Sequence, residues 1–165
     1  MYIADLHIHS RYSMATSKFL TPEYLDLWAR KKGIHILGTG DFTHPLWREE
    51  LKEKLEPAEP GLYRLKPELH LPEIPSGSFD PRFIVSGEIS TIYKKNGRTR
   101  KVHSLILLPG LDVADRLSEE LEKQNRKVGL TTIYRTLDRL EAEKAIARVS
   151  IDGVAAACYR YLPKK

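Results

Sequence analysis

The first residues alternate. Tyr2, Ala4, Leu6 and Ile8 interleave with Ile3, Asp5, His7 and His9, which is the period of a strand. A polar stretch, Arg11–Leu20, reads as a loop. Thr21-Pro22-Glu23 then carries the marks of a helix start: a hydroxyl N-cap, proline in the first turn and an acid near the positive pole. Tyr24, Leu25, Trp28 and Ala29 form its apolar stripe, and Lys31-Lys32-Gly33 closes it. Ile34–Thr39 predicts a second strand, so the opening is a βαβ unit and implies a parallel sheet. Leu46–Leu55 predicts a helix with Leu51 and Leu55 on one face. Residues 56–81 hold six prolines and predict an irregular excursion with a short hairpin near Gly61–Lys66. Arg82–Ser86 predicts a third strand ending at Gly87-Glu88. Ile89–Tyr93 and Lys101–Leu108 predict a hairpin around Asn96-Gly97. Leu111-Asp112 opens a helix on which Val113, Leu117 and Leu121 share a face.

Chemistry gathers where these strands end. His7 and His9 are two residues apart, so on a strand both imidazoles leave one face, with Asp5 just behind. Such a pair suits a borderline metal such as zinc, and a nearby carboxylate can join or orient it. In parallel α/β sheets ligands collect at the carboxyl ends of strands. That places the loop Gly38–Pro45, with Asp41 and His44, beside the histidine pair.

Composition narrows the class. The chain has 165 residues, 41% hydrophobic and 30% charged, enough for one ordinary domain or two small ones. Membrane association is not expected: no apolar run approaches the roughly 18 residues of a span, and Met1–Asp5 lacks the basic-then-apolar pattern of a secretory signal. Cys158 is the only cysteine, which excludes a disulfide framework and a thiolate cluster and points to the cytoplasm. The net charge of +5 is uneven. Residues 1–123 contain 18 Lys+Arg and 18 Asp+Glu, whereas residues 124–165 contain 9 and 4. A neutral body with a basic tail implies a polyanion-binding element at the C-terminus.

Four stretches carry a family resemblance. Asp5-Leu6-His7-Ile8-His9-Ser10, Gly38-Thr39-Gly40-Asp41-Phe42-Thr43-His44-Pro45, Gly87-Glu88-Ile89-Ser90 and Val102-His103-Ser104 resemble, in order, successive motifs of the polymerase-and-histidinol-phosphatase (PHP) superfamily. The Thr-Gly-Asp-Phe-Thr-His-Pro variant resembles endonuclease Q. The resemblance covers about residues 1–123. It implies a distorted barrel of parallel strands, a two- or three-metal centre (zinc, manganese or magnesium) and phosphoester hydrolysis. For endonuclease Q it implies cutting of DNA beside deaminated bases, a DNA-repair activity. His7 and His9 would then hold one metal, Glu88 would bridge to a second, and His103 would complete that site. Asp41 and His44 stand where the second motif contributes. Many relatives have His directly after that Asp, and Phe42 stands there instead, so Asp41, His44 or both remain open as ligands. Glu88 and Asp41 are the catalytic candidates. Arg11, Lys18 and Arg100 are candidates to neutralise a phosphate. His35 and His70 read as surface or packing residues. The superfamily also implies later motifs, a further His and a C-terminal Asp-x-His pair. No histidine follows His103, so the barrel and active site implied here are incomplete, and the open sheet invites a second copy to cover it.

A second resemblance follows. Gly129-Leu130-Thr131-Thr132-Ile133-Tyr134-Arg135-Thr136-Leu137-Asp138-Arg139-Leu140 resembles the recognition helix of the ferric uptake regulator family, whose DNA-binding part is a winged helix. Ile133, Leu137 and Leu140 would pack, leaving Thr132, Tyr134, Arg135 and Arg139 for DNA. Ala147–Ile151 and Ala155–Tyr161 flank Asp152-Gly153 as the wing hairpin. Helix 111–123 fits either the next barrel helix or the first helix of a helix-turn-helix.

The expectation is therefore an α/β fold: a partial PHP-type barrel of βα units over residues 1–110, then a winged-helix-like helix plus β-hairpin over 111–165. Its function is that of a metal-dependent phosphoesterase or DNA endonuclease with DNA as partner. The alternative is a non-enzymatic DNA-binding regulator.

Overall fold

In the computed structural model, the residues that can be described are 1–74, 79–123, 137–144, 146–149 and 158–161. Strand β1 is Ala4–Asp5, shorter than the alternation over Tyr2–Ile8 predicts. It lies at a sheet edge, parallel to β2 (Ile36–Gly38), with Ala4 opposite Ile36. Between them runs helix α1, Pro22–Lys32, with Thr21 as N-cap and Gly33 in the left-handed region at φ 74°.

The face that α1 buries is only partly the predicted one: Leu25 and Ala29 are inside as expected. Trp28 is exposed, beneath Lys31 and Lys32, while Pro22, Leu25, Asp26, Ala29 and Arg30 turn inward. Arg30 grips Asp26 through Nε (2.7 Å) and reaches the Phe79 carbonyl (2.7 Å), Asp80 (2.6 Å) and the His70 ring (3.3 Å). One guanidinium thus fastens the later part of the proline-rich excursion, at His70 and at Phe79-Asp80, to α1.

Helix α2, Pro45–Lys54, has His44 as N-cap. Its Trp47 is fully buried and donates Nε1–H to the Thr39 and Gly40 carbonyls, both at 3.1 Å. An aromatic anchor with a polar tip so fixes the helix against the end of β2. The excursion contains a real hairpin, β3 (Leu55–Pro57) with β4 (Tyr63–Leu65), which starts earlier than Gly61.

Strand β5, Arg82–Lys95, is one continuous strand, not a strand followed by a separate hairpin arm. Its first residues pair parallel with β2 and antiparallel with β4. From Val85 on it pairs antiparallel with β6, Arg98–Leu108. The connecting Asn96-Gly97 has φ of 53° and 69°, as a two-residue type I′ turn requires. The result is a mixed sheet of six strands, with the outer part of β5–β6 projecting from it.

Helix α3, Leu111–Lys123, turns Val113, Leu117 and Leu121 inward as its period predicts. They join one core with Phe42, Trp47, Leu51, Phe83 and Val85. Asp115 binds Arg48 (3.1 Å) and Lys52 (2.9 Å), tying α3 to α2. Further on, residues 137–142 are helical. Strands β7 (Ile146–Val149) and β8 (Cys158–Tyr161) pair antiparallel, with Ile146 opposite Tyr161 and Val149 opposite Cys158, within the two stretches expected to flank the turn. The Asp152-Gly153 turn lies outside the described residues. Among the described residues no helix is long and apolar enough to cross a membrane.

Candidate metal centre

The centre is assembled at the strand ends by close backbone approach. A Cβ on Gly38 would collide with the Leu6 carbonyl oxygen, and one on Gly40 with that of Ile8. Glycine at both positions lets the segment after β1 lie directly on the end of β2. Gly40 and Asp41 then adopt φ of 66° and 44°. These two left-handed residues turn the chain so that the Asp41 carboxylate faces Ser10, Ser13 and His9. The alignment of β5 comes from Ser86. Its N–H donates to Thr39 Oγ1 (3.0 Å) and its Oγ accepts the Gly40 N–H (2.9 Å).

Glu88, two residues beyond Ser86 on β5, is the hub. Its Oε2 takes the His7 Nε2–H at 2.7 Å and lies 3.6 Å from His9 Nε2. Its Oε1 pairs with His103 Nδ1 from β6. The two carboxylate oxygens therefore face two different sets of imidazoles. Ligand atoms of His7, His9 and Glu88 all lie within 4.8 Å of one another, the chemistry and spacing that suit a divalent ion. Side-chain exposure of 50% for His7, 42% for His9 and 40% for His103 against 14% for Glu88 leaves the imidazoles open to an incoming ligand. The His7 hydrogen bond, foremost, and the neighbouring His103 and His9 hold the Glu88 carboxyl below its ordinary value against the effect of desolvation.

Asp41 stands behind His9. Its Oδ1 meets His9 Nδ1 at 3.2 Å, which leaves His9 Nε2 as the nitrogen turned towards Glu88. Its Oδ2 accepts from the Ser10 backbone (2.6 Å), Ser10 Oγ (2.7 Å) and Ser13 Oγ (2.8 Å). Burial pushes this carboxyl up, but these donors outweigh it and hold Asp41 below its ordinary value. A carboxylate on the far nitrogen of a metal-facing imidazole fixes its tautomer and orientation.

Of the predicted residues, the structure brings together His7, His9, Glu88 and His103, and seats Asp41 against His9. His44 is not drawn into the group. It stacks on Tyr12 at 4.5 Å, with Nδ1 buried and without a hydrogen-bond partner among the described residues. Arg11 is occupied by Glu50 (2.9 Å), and Lys18 is exposed. Arg100 pairs with Tyr93, on the opposite face of the β5–β6 ribbon from Glu88 and His103. His35 stacks on Phe79 and accepts the Ile3 N–H, and His70 meets Arg30, so both have packing roles. Ser13 was not among the predicted residues; nothing in its spacing marks it. A second convergence, Asp26, His70 and Asp80, has the Arg30 guanidinium bonded to all three. Of the predicted DNA contacts, Thr132, Tyr134 and Arg135 lie outside the described residues. Arg139 is paired with Glu120 (2.7 Å) and Glu143 (3.4 Å).

Residues 110–162 match the family model of the ferric uptake regulator family. The crystal structure of endonuclease Q from Pyrococcus furiosus, a lesion-specific endonuclease, is similar over 72% of this chain, with 30% identity and a TM-score of 0.53. A second structure, endonuclease Q with a 27-mer duplex bearing an abasic lesion at the active site, gives 31% identity over 70% of the chain and a TM-score of 0.51. Both resemblances hold. An uncharacterized protein of Methanocaldococcus jannaschii is 35% identical over 124 residues, 75% of this chain. The chain spans 12% of that relative, and 25% and 24% of the two endonuclease Q chains. It thus joins an endonuclease Q-like stretch to a stretch matching the regulator family.

Proposed function

We propose that the chain carries the N-terminal metal-binding part of a PHP-type, endonuclease Q-like phosphoesterase acting on DNA, joined to a winged-helix-like DNA anchor. The observation that carries this reading is Glu88, which offers one oxygen to His7 and His9 and the other to His103. A carboxylate so placed is built to span two cations. Divalent ions in such a site supply Lewis acidity towards a phosphoester and make a water acidic near neutral pH. In this reading His7 and His9 would hold one ion and His103 another, Glu88 would serve both, and Asp41 keeps His9 in the tautomer that leaves its Nε2 free to ligate. His44 packs against Tyr12 and is not assigned as a ligand. Residues 1–110 would carry the metal-binding groups and 111–165 the DNA-binding unit, with helix 111–123 serving both as the start of the second and as part of the core of the first, and the partial barrel would be left for a second copy to cover.

The test is metal content and hydrolysis together. The purified chain should retain divalent metal after dialysis, and His7→Ala/His9→Ala should lose it along with any cleavage of lesion-bearing duplex. Unchanged metal content and cleavage in that variant would overturn the reading.

The match of residues 110–162 to the regulator family favours a second reading, a non-enzymatic DNA-binding regulator. It predicts salt-dependent duplex binding that survives His7→Ala/His9→Ala but disappears in Tyr134→Ala/Arg135→Ala.

A further inference from the structure

The projecting β5–β6 ribbon has no role in the metal centre beyond its base, yet its charge is extreme. Residues 89–108 contain five cations, Lys94, Lys95, Arg98, Arg100 and Lys101, and no Asp or Glu. Among the described residues none of the five takes part in an ion pair. In the body, by contrast, most cations, among them Arg30, Arg48, Lys52, Lys54, Arg64 and Arg82, are paired with carboxylates. The arrangement even opposes stability, since Lys95 lies directly across from Arg98, and like charges opposite each other repel.

The register shows where these charges point. Residues directly opposite in an antiparallel pair share a face, and residues two apart along a strand return to it. Glu88, Ser90, Ile92 and Lys94 therefore share a face with Leu105, His103, Lys101 and Thr99. Lys101 follows His103 by one step of about 7 Å along that face. Lys94 follows one step further out, diagonal to Lys101. A stripe of ammonium groups thus leaves the metal centre on the side that carries Glu88 and His103, at a step comparable with the distance between neighbouring phosphates of a nucleic-acid strand. On this face Ile92 is exposed and stands directly across from Lys101, an apolar surface beside the cation that a base can cover; Tyr93 and Arg100 pair on the opposite face. Lysines on an exposed edge also deter aggregation, but that role requires neither the absence of acids nor a stripe continuous with Glu88.

We propose that the β5–β6 arm is a backbone clamp for the nucleic-acid strand engaged at the metal centre, with Lys101 and Lys94 taking successive phosphates and Lys95, Arg98 and Arg100 supplying long-range attraction. The inference rests on the reading of the chain as a DNA-directed phosphoesterase. Its test uses the full chain in a Tyr134→Ala/Arg135→Ala background, so that binding through the C-terminal part is removed. The affinity for a short fluorescent DNA is measured over a series of salt concentrations. Lys94→Ala/Lys101→Ala should weaken binding about tenfold or more at low salt, and should lower the log Kd against log salt slope by about one per lysine removed. Metal content should stay unchanged in that variant. Lys94→Arg/Lys101→Arg should restore both affinity and slope. An unchanged slope in the alanine variant overturns the clamp. So does a result in which the lysines govern binding to phosphatidylserine vesicles and not to DNA. Loss of metal in His7→Ala/His9→Ala with arm-dependent DNA binding intact supports the clamp. Retained metal and unchanged cleavage in that same variant strike the phosphoesterase reading instead, so the two failures are distinguishable.

Discussion

Asp41 shows how much of the proposed metal centre is made by residues beyond its candidate ligands. Its Oδ2 satisfies three donors while Oδ1 holds His9. Asp41→Asn places an amide N–H₂ where acceptors are needed. It should reduce metal affinity about 10–100-fold, read by competition with a chelating dye, and destabilise the fold by about 1–3 kcal/mol, read by urea unfolding of the metal-free protein. Gly40 sits at φ 66° with no room for a Cβ against the Ile8 carbonyl. Gly40→Ala should therefore cost at least about 2 kcal/mol and loosen the histidine pair, seen as a lower urea midpoint. The order of the motifs pointed to the histidines and Glu88, and strand period served only Glu88 and His103, because β1 ends at Asp5 and His7 and His9 follow it outside any strand. Asp41 and His44 were not separable in sequence. The two left-handed residues at 40 and 41 decide which of them turns to His9, and the backbone angle of a non-glycine residue leaves no trace in hydrophobic pattern.

At the scale of elements, α1 explains a characteristic misreading. Its apolar letters put Trp28 inside, but the buried face holds Asp26 and Arg30, which neutralise one another. A hydropathy pattern counts each of them as surface. Removing one partner strands the other charge, so Arg30→Ala should destabilise by about 3–5 kcal/mol, measured by denaturant unfolding. The contact between α1 and α2 carries a pH signature. Burial pushes Glu23 up, but Lys54 (2.6 Å) and Thr21 outweigh it and leave its carboxyl below the ordinary 4.5. Glu23 therefore adds stability above that value, and the contribution disappears as pH falls through the lowered folded value. Glu23→Gln should be destabilised by about 1 kcal/mol near neutrality and converge with the parent in acid, as compared by unfolding at a series of pH values. The long β5–β6 hairpin was half legible. Asn96-Gly97 announced its turn, but Gly87 within β5 read as a strand end. The strand continues there because Gly87 keeps its place in the β6 ladder opposite Ile106, and glycine is needed because the Phe42 ring packs where a side chain would otherwise stand.

For the whole molecule, summed charge concealed the arrangement. The balance of 18 cations and 18 acids over residues 1–123 reads as neutral, yet the five cations of the arm are cancelled only by acids elsewhere. A window the length of a hairpin finds them, and a window the length of a domain does not. The second resemblance was legible as motifs, but its junction was not, since helix 111–123 had the right period for either neighbour. In the structure Leu111, Val113, Leu117 and Leu121 complete the core of the α/β part, while the regulator family match begins at residue 110. A chain cut after Gly110 should therefore lose cooperative unfolding, whereas one cut after Lys123 should keep it, as followed by circular dichroism.

Helix α3 has a thermodynamic consequence for the two parts it touches. Its inner face belongs to the core of the α/β part, and Glu120 on the same helix holds Arg139 of the C-terminal part. A ligand that binds either part only in its folded form stabilises α3, and with it the other part. Such coupling is reciprocal: a metal that tightens DNA binding must itself be bound more tightly when DNA is present, by the same factor.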